Sequence, residues 1–244
     1  WRNLPRGLAR FKCPRVLLVA DTHHRRSPLV GMLRYAAGEP FDRIVLLYDR
    51  HHASFFQAAG FRNLHWFPGL TFPHRDAAVR AARQTRREPR LAFVGQAGSF
   101  HPRRTRLLAE LARRNLPVAA AALAQPAALA FYGSSLLGFN ASLNGDLNLR
   151  VFEILATGAA LLTDRLAAAS GLGDILQDGV ELATYGNPGE LAALARSHLE
   201  RPAAARRLGD AGARWFDEHL NEARRRAAFA ALACDGTPVP EFAL

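Results

Sequence analysis

"NGDLNLRVFEILATGAALLTD", residues 144–164, reads as a loop, a short helix and a strand. Turn formers occupy Asn144, Gly145 and Asp146, and the helical pattern begins near Asn148. Gly158 stands just past the helix end, and "AALLTD" (159–164) follows as a strand. Inside the helix, Glu153 sits between Phe152 and Ile154. A helix built only for packing rarely carries an acid there, so this carboxylate asks for a function.

The same alternation runs outward in both directions. "RVLLVAD" (15–21) reads as a buried strand, and "SPLVGMLRYAAG" (27–38) as a helix that tolerates Pro28 in its first turn. "RIVLLYD" (43–49), "HHASFFQAAG" (51–60) and "NLHWFPG" (63–69) continue as strand, helix and strand. The stretch 71–90 is polar, charged and bracketed by prolines, and reads as a linker with a helical turn or two. Strands are then expected at 91–96, 117–122, 136–143 and 181–186. Helices are expected at 103–115, 125–134, 188–200, 203–219 and 221–233. This order predicts an α/β fold of two Rossmann-like domains with mainly parallel sheets, the first of them short or truncated. The expected domains are 1–86 with the linker, 87–220, and a last helix and tail, 221–244, placed to cross back onto the first domain.

Length and composition narrow the classes. A chain of 244 residues that is 49% hydrophobic can bury one large core or two modest ones. No run approaches the roughly 20 apolar residues of a membrane span. The start, "WRNLPRGLARFKCPRVLLVAD", has no initiator Met and too little apolar length for a signal peptide, so a piece of a longer protein is expected. Two cysteines, Cys13 and Cys234, make no disulfide framework, which points to a reduced cytoplasmic setting. Peripheral membrane attachment is the alternative. The net charge of +11 suggests an anionic partner, but the cations are nearly all Arg and spread over many helix faces. No basic stripe interleaved with aromatics appears, so nucleic acid is disfavoured.

In open α/β sheets, ligands bind beyond the carboxyl ends of the strands. The loop 144–148, with Asn144 and Asn148, leads into a helix N-terminus whose free N–H groups suit a phosphate. Arg150 lies in the first turn, where a cation opposes the helix dipole unless an anion binds. One turn further, Glu153 could accept two hydrogen bonds from a vicinal diol such as a ribose. The competing reading is an i,i+3 ion pair between Arg150 and Glu153 on a solvated face. Gly95 ends a strand, and "GQAGSFHPRR" (95–104) leads to a basic helix start, a second phosphate-compatible loop in which Arg103 or Arg104 is expected to touch ligand. Asp21, His23 and His24 follow the first strand, where a catalytic base would face a cleft. No metal site is expected, because no H-x3-H or comparable spacing occurs. The neighbours in the pairs 23–24 and 51–52 would point apart on extended backbone.

The segments "FNASLNGDLNLRVFEILATGAALLTDR" and "GLGDILQDGVELATYGNPGELAALARSHLERPAAARRLGDAGARWFDEH" resemble the C-terminal half of CgeB/YkvP-like glycosyltransferases. The likeness covers about 91–226 and includes "FVG" (93–95), the R-V-F-E core, "P-x-E-L" (188–191) and "R-W-F-x-E-H" (214–219). More weakly, "VLLVADTHH", "FDRIVLLYD" and "GFRNLHWFPG" resemble part of that family's first domain. The resemblance implies a GT-B fold and a nucleotide-sugar donor, with Glu153 holding the ribose hydroxyls and Gly158 in the family's A-x-G turn. Many retaining relatives carry an E-x7-E pair; here the first position is Gly145, and Asp146 is the adjacent candidate substitute.

These readings predict a glycosyltransferase that needs no cofactor or metal beyond its co-substrate, a nucleotide diphosphate sugar, and that serves an unidentified acceptor. The missing first acid and the short front domain keep a second class open, a catalytically inactive nucleotide-sugar-binding module. A basic nucleic-acid-binding protein is the third.

Overall fold

The computed structural model describes residues 4–20 and 27–244; Asp21, His23 and His24 lie outside the described residues. The front unit contains β1 (Val16–Val19), α1 (Pro28–Gly38), β2 (Arg43–Leu46), α2 (Ala53–Ala58) and β3 (Leu64–Trp66). Its strands pair in parallel in the order β1-β2-β3. Ile44, Val45 and Leu46 are all buried, which is why the central strand is written as an unbroken apolar run.

The rear unit comprises α3 (Asp76–Arg83), β4 (Glu88–Val94), α4 (Pro102–Arg113), β5 (Val118–Ala121), α5 (Gln125–Gly133) and β6 (Ser135–Phe139). It continues through α6 (Leu149–Thr157), β7 (Ala160–Asp164), α7 (Leu172–Ile175), β8 (Leu182–Tyr185), α8 (Pro188–Glu200), α9 (Pro202–His219) and α10 (Glu222–Asp235). All its strands run parallel in the order β5-β4-β6-β7-β8. Counted within this unit the order is 2-1-3-4-5, so the winding reverses between β4 and β6 and opens a crevice beyond their carboxyl ends. The fold is thus α/β, with two Rossmann-like parallel sheets and a short first one.

The helix of the opening stretch lies at the centre. Every residue from Val151 to Thr157 is buried, and α3, α5 and α9 pack around it. Gly158 ends it in the left-handed region at φ 72°, its N–H on the Leu155 carbonyl. The carbonyls of its last turn, left free by the end of the helix, are met by arginines. Arg83 donates to Ala156 O at 2.7 Å, and Arg87 to Thr157 O at 2.7 Å and to Gly158 O.

The stretch expected to carry a helical turn or two carries them, packed against the rest of the rear unit. Between 71 and 90 the chain forms α3 and the first residues of β4, and Val79 and Ala82 are buried. The arginines that made the stretch look solvated are in part the caps of α6. β4 also starts earlier than expected, at Glu88, with a register irregularity against β6 between Glu88 and Leu91.

The two sheets share a core. Phe72 packs on Phe216 with ring centroids 4.8 Å apart, and Phe242 of the tail lies 5.3 Å from Phe67 of the front unit. Arg225, 7% exposed, donates to Leu220 O at 2.7 Å, Phe72 O at 2.9 Å and Leu70 O at 3.3 Å, tying α10 to the connection between the sheets. Arg225→Met strands those carbonyls and is expected to cost about 2 kcal/mol, a fall in Tm of about 4–8 °C by scanning calorimetry. An unchanged Tm would show that water replaces the guanidinium. Among the described residues no helix is long and apolar enough to cross a membrane.

Candidate functional site

A cavity of about 340 Å3 opens at the crevice between β4 and β6. Strand ends supply its walls: Val94 and Gly95 at the end of β4, Leu123 after β5, and Leu143, Asp146, Asn148 and Arg150 after β6. Tyr48, just beyond β2, closes it from the front unit, and its carbonyl accepts the Leu147 N–H at 3.1 Å. The volume lies in the range of small-molecule sites.

Cationic groups dominate one part of the wall. Arg150 donates to Val94 O at 2.7 Å and Asn140 Oδ1 at 2.9 Å, and its guanidinium lies over the Phe93 ring at 4.9 Å. The neighbouring Gly95 has φ 152°, and a Cβ there would meet Arg150 Nη2 at 2.6 Å. Its glycine therefore gives close approach to an arginine inside the protein. Arg104, 8% exposed, lines the cavity and makes only long bonds, to Ala141 O at 3.3 Å and Gln96 O at 3.5 Å. Burial, reinforced by Arg150, pulls its guanidinium down to about 10, against the opposite pull of Asp146 and Asp164. It remains a cation at neutral pH and has no carboxylate partner among the described residues. The first turn of α4, which carries Arg104, has no side-chain cap from His101. Arg103 turns the other way, donating to Ser142 O at 3.1 Å and pairing with the buried Asp164. Of the two adjacent arginines, Arg104 faces the cavity and Arg103 holds the loop.

The acid is buried on the same wall. Glu153 is 8% exposed and lines the cavity, and the ring of His74 stands beside it, with Nε2 3.7 Å from Oε1. The alternative Arg150–Glu153 ion pair does not form, because Arg150 is held by Val94 and Asn140. Asn148 caps α6 through Oδ1, which accepts the Arg150 N–H at 3.1 Å, while its buried Nδ2 has no partner. Asp146 folds the loop: its Oδ1 accepts from Ser142 Oγ at 3.0 Å, Leu143 N at 3.1 Å and Asn144 N at 3.2 Å. That turn leaves Asn144 exposed at its tip, outside the cavity lining. Gly145 has φ 78° and open space where a Cβ would stand. Asp146 lines the cavity beside it.

Tyr48 and His74 escape sequence reading, the first as a strand end and the second within the expected linker. Both reach the site only through the pairing of the two units. Asp49, His51 and His52 gather beyond β2, one ligand atom from each lying within 4.8 Å of the others, a set that could hold a divalent cation. The two histidines point together, with ring centroids 4.3 Å apart. Divergence was expected for extended backbone, but Arg50–His52 is a 3-10 turn.

The arrangement offers a phosphate its positive wall and a hydroxylated ring its buried carboxylate. A family described as "Glycosyl transferase-like" matches residues 74–230, more than half of the chain. A search of curated proteins found no match. Among solved structures, a single-residue mutant of S. aureus TarM in complex with fondaparinux, alpha-GlcNAc-glycerol and UDP superposes with TM-score 0.68 at 11% identity. That likeness covers 90% of this chain and 50% of TarM. Anabaena HepE in complex with UDP and glucose gives 0.60 at 15% identity, over 89% of this chain and 70% of HepE. Sucrose-phosphate synthase from Thermosynechococcus elongatus gives 0.57 at 17% identity, over 87% of this chain and 65% of its own. These likenesses show a shared GT-B architecture, of which this chain spans about half the TarM length.

Proposed function

The chain belongs to the glycosyl transferase-like family, and on that premise we propose that it moves a sugar from a nucleotide diphosphate sugar to an acceptor hydroxyl. The observation that carries the reading is the buried Glu153 on the wall of a cavity that also holds Arg104, which has no carboxylate partner among the described residues. Glu153 accepts hydrogen bonds from the vicinal hydroxyls of the donor ribose. Arg104 and the first turn of α4 face the diphosphate, and Arg150 adds positive potential from behind. The acceptor lies against the front unit, where Asp21, His23 or His24 supplies the base. Its oxygen attacks the anomeric carbon as the sugar–phosphate bond breaks, the electron pair stays on the diphosphate, and the acceptor proton goes to the base. No metal is required, since guanidinium and backbone dipoles carry the leaving-group charge. The quoted motifs favour a CgeB/YkvP-like enzyme within the family. The UDP held in the TarM and HepE structures makes UDP-sugars the first donors to try. Two exposed free cysteines support a reducing compartment, the cytoplasm.

Glu153→Gln keeps the shape and removes the charge. Calorimetric titration with UDP and GDP is expected to show about 10- to 30-fold weaker binding of the preferred nucleotide, with little change in Tm. Equal affinity in the variant rejects the ribose role.

A further inference from the structure

His74 stands behind Glu153 rather than on the cavity wall. It is 7% exposed, and its Nε2, 3.7 Å from Glu153 Oε1, makes no hydrogen bond. A buried ring nitrogen without a partner is costly, and so is a buried carboxylate without one. The two groups face each other a few tenths of an ångström beyond hydrogen-bond length. Packing holds the imidazole there. Its ring meets Phe72 edge-on at 5.2 Å, Phe72 packs on Phe216 at 4.8 Å, and the Arg225 guanidinium covers Phe72 at 5.2 Å. Among the described residues no hydrogen bond fixes the carboxylate, whose neighbour Arg150 is committed to Val94 and Asn140.

We propose that His74 is the positioning residue for the donor ribose. With the proton on Nε2, it donates to Glu153 Oε1 as the nucleotide binds, which sets the carboxylate plane. Oε2 and the remaining lone pair of Oε1 are then presented to the two ribose hydroxyls. His74 is carried by the connection between the two sheets and not by the sheet that binds the donor. Grip on the ribose is therefore set by how that connection is seated against α6 and α9. This inference rests on the ribose reading of Glu153, and a ligand series separates the two.

The test compares UDP (or GDP, if UDP does not bind) with its 2′,3′-dideoxy analogue on wild type, His74→Phe and His74→Gln. Wild type is expected to prefer the ribonucleotide about 20-fold. His74→Phe should lose about 5- to 10-fold in affinity for the ribonucleotide and nothing for the dideoxy analogue. His74→Gln, which keeps an N–H donor, should restore most of the preference. No ribose preference in wild type overturns the Glu153 reading and this proposal with it. A wild-type preference that survives in His74→Phe overturns the proposal alone, as does an equal loss for both nucleotides, the mark of a merely structural residue. Should the Phe variant fail to fold, His74→Asn takes its place, because its shorter amide does not reach Glu153. An undiminished ribose preference there overturns the proposal in the same way.

Discussion

Arg104→Met is expected to lower kcat/KM for the nucleotide sugar by about 100- to 1,000-fold, the range for removing one preorganised charge partner of a developing anion. The expectation comes from an electrostatic imbalance. Arg104 is 8% exposed, is close enough to Arg150 for repulsion to lower its pKa, and leans on two long carbonyl contacts at 3.3 and 3.5 Å. An anion in the cavity relieves both the desolvation and the repulsion, and it does so more as charge collects on the departing diphosphate. Methionine fills most of the same space, so the loss should fall on ligand and rate. Stability should hold or rise slightly when a buried cation with no carboxylate partner among the described residues is removed. Comparing UDP with uridine isolates the effect, because only UDP should weaken. If the variant binds both as wild type does, Arg104 faces no phosphate. The pH sign follows from the same imbalance. The guanidinium, lowered to about 10, is charged below that value and neutral above it, so diphosphate affinity should decline as pH rises through that range. Arg103→Met is the control: its guanidinium pairs with Asp164 outside the cavity, and its effect on UDP affinity should be small.

Where strands and helices obey a single local rule, the fold was legible. β2, β6 and β7 are buried along nearly all their length, so they appear as plain apolar runs, and Gly158 marks the helix end because its φ of 72° suits glycine. The stretch 71–90 showed its helical turns but not its packing, because arginine is ambiguous in a sequence. Arg83 and Arg87 look solvated until α6 places its last carbonyls against them.

Residue type alone reached part of the site. An acid inside an apolar helix and a cation in a first turn both break a local preference, and Glu153 and Arg150 line the cavity together. What their side chains do was not legible. Arg150 answers to Val94 and Asn140, residues 56 and 10 positions away, and only the sheet order brings these partners into reach. Arg103 and Arg104 are equivalent as letters and opposite in the fold. His74 breaks no local rule at all. It gains meaning from a carboxylate 79 positions later, across the junction of two units.

The seating of α9 under this helix gives the second large effect. Gly209→Ala is expected to cost about 3 kcal/mol, a fall in Tm of about 6–12 °C. An added Cβ would stand 2.1 Å from Gly158 O, 2.9 Å from Gly158 C and 3.1 Å from Ala159 C. All three are backbone atoms, so no rotamer change relieves the clash. Either α9 lifts from the turn between α6 and β7, or that turn gives up its left-handed glycine geometry. The next turn of α9 is seated as closely, since a Cβ on Gly212 would lie 2.5 Å from Leu155 Cδ2 and 2.9 Å from Glu181 O. The displacement therefore cannot be absorbed by tilting about position 209. Because Glu153 rides on α6, the shift should also blunt the preference for ribonucleotide over dideoxynucleotide well below the melting temperature. Gly173→Ala is the matched control, as nothing lies within 4 Å of the added carbon and Tm should hardly move. A Gly209→Ala protein that melts with wild type would mean that α9 does not rest on this turn, and the support inferred for the donor carboxylate would have to come from elsewhere.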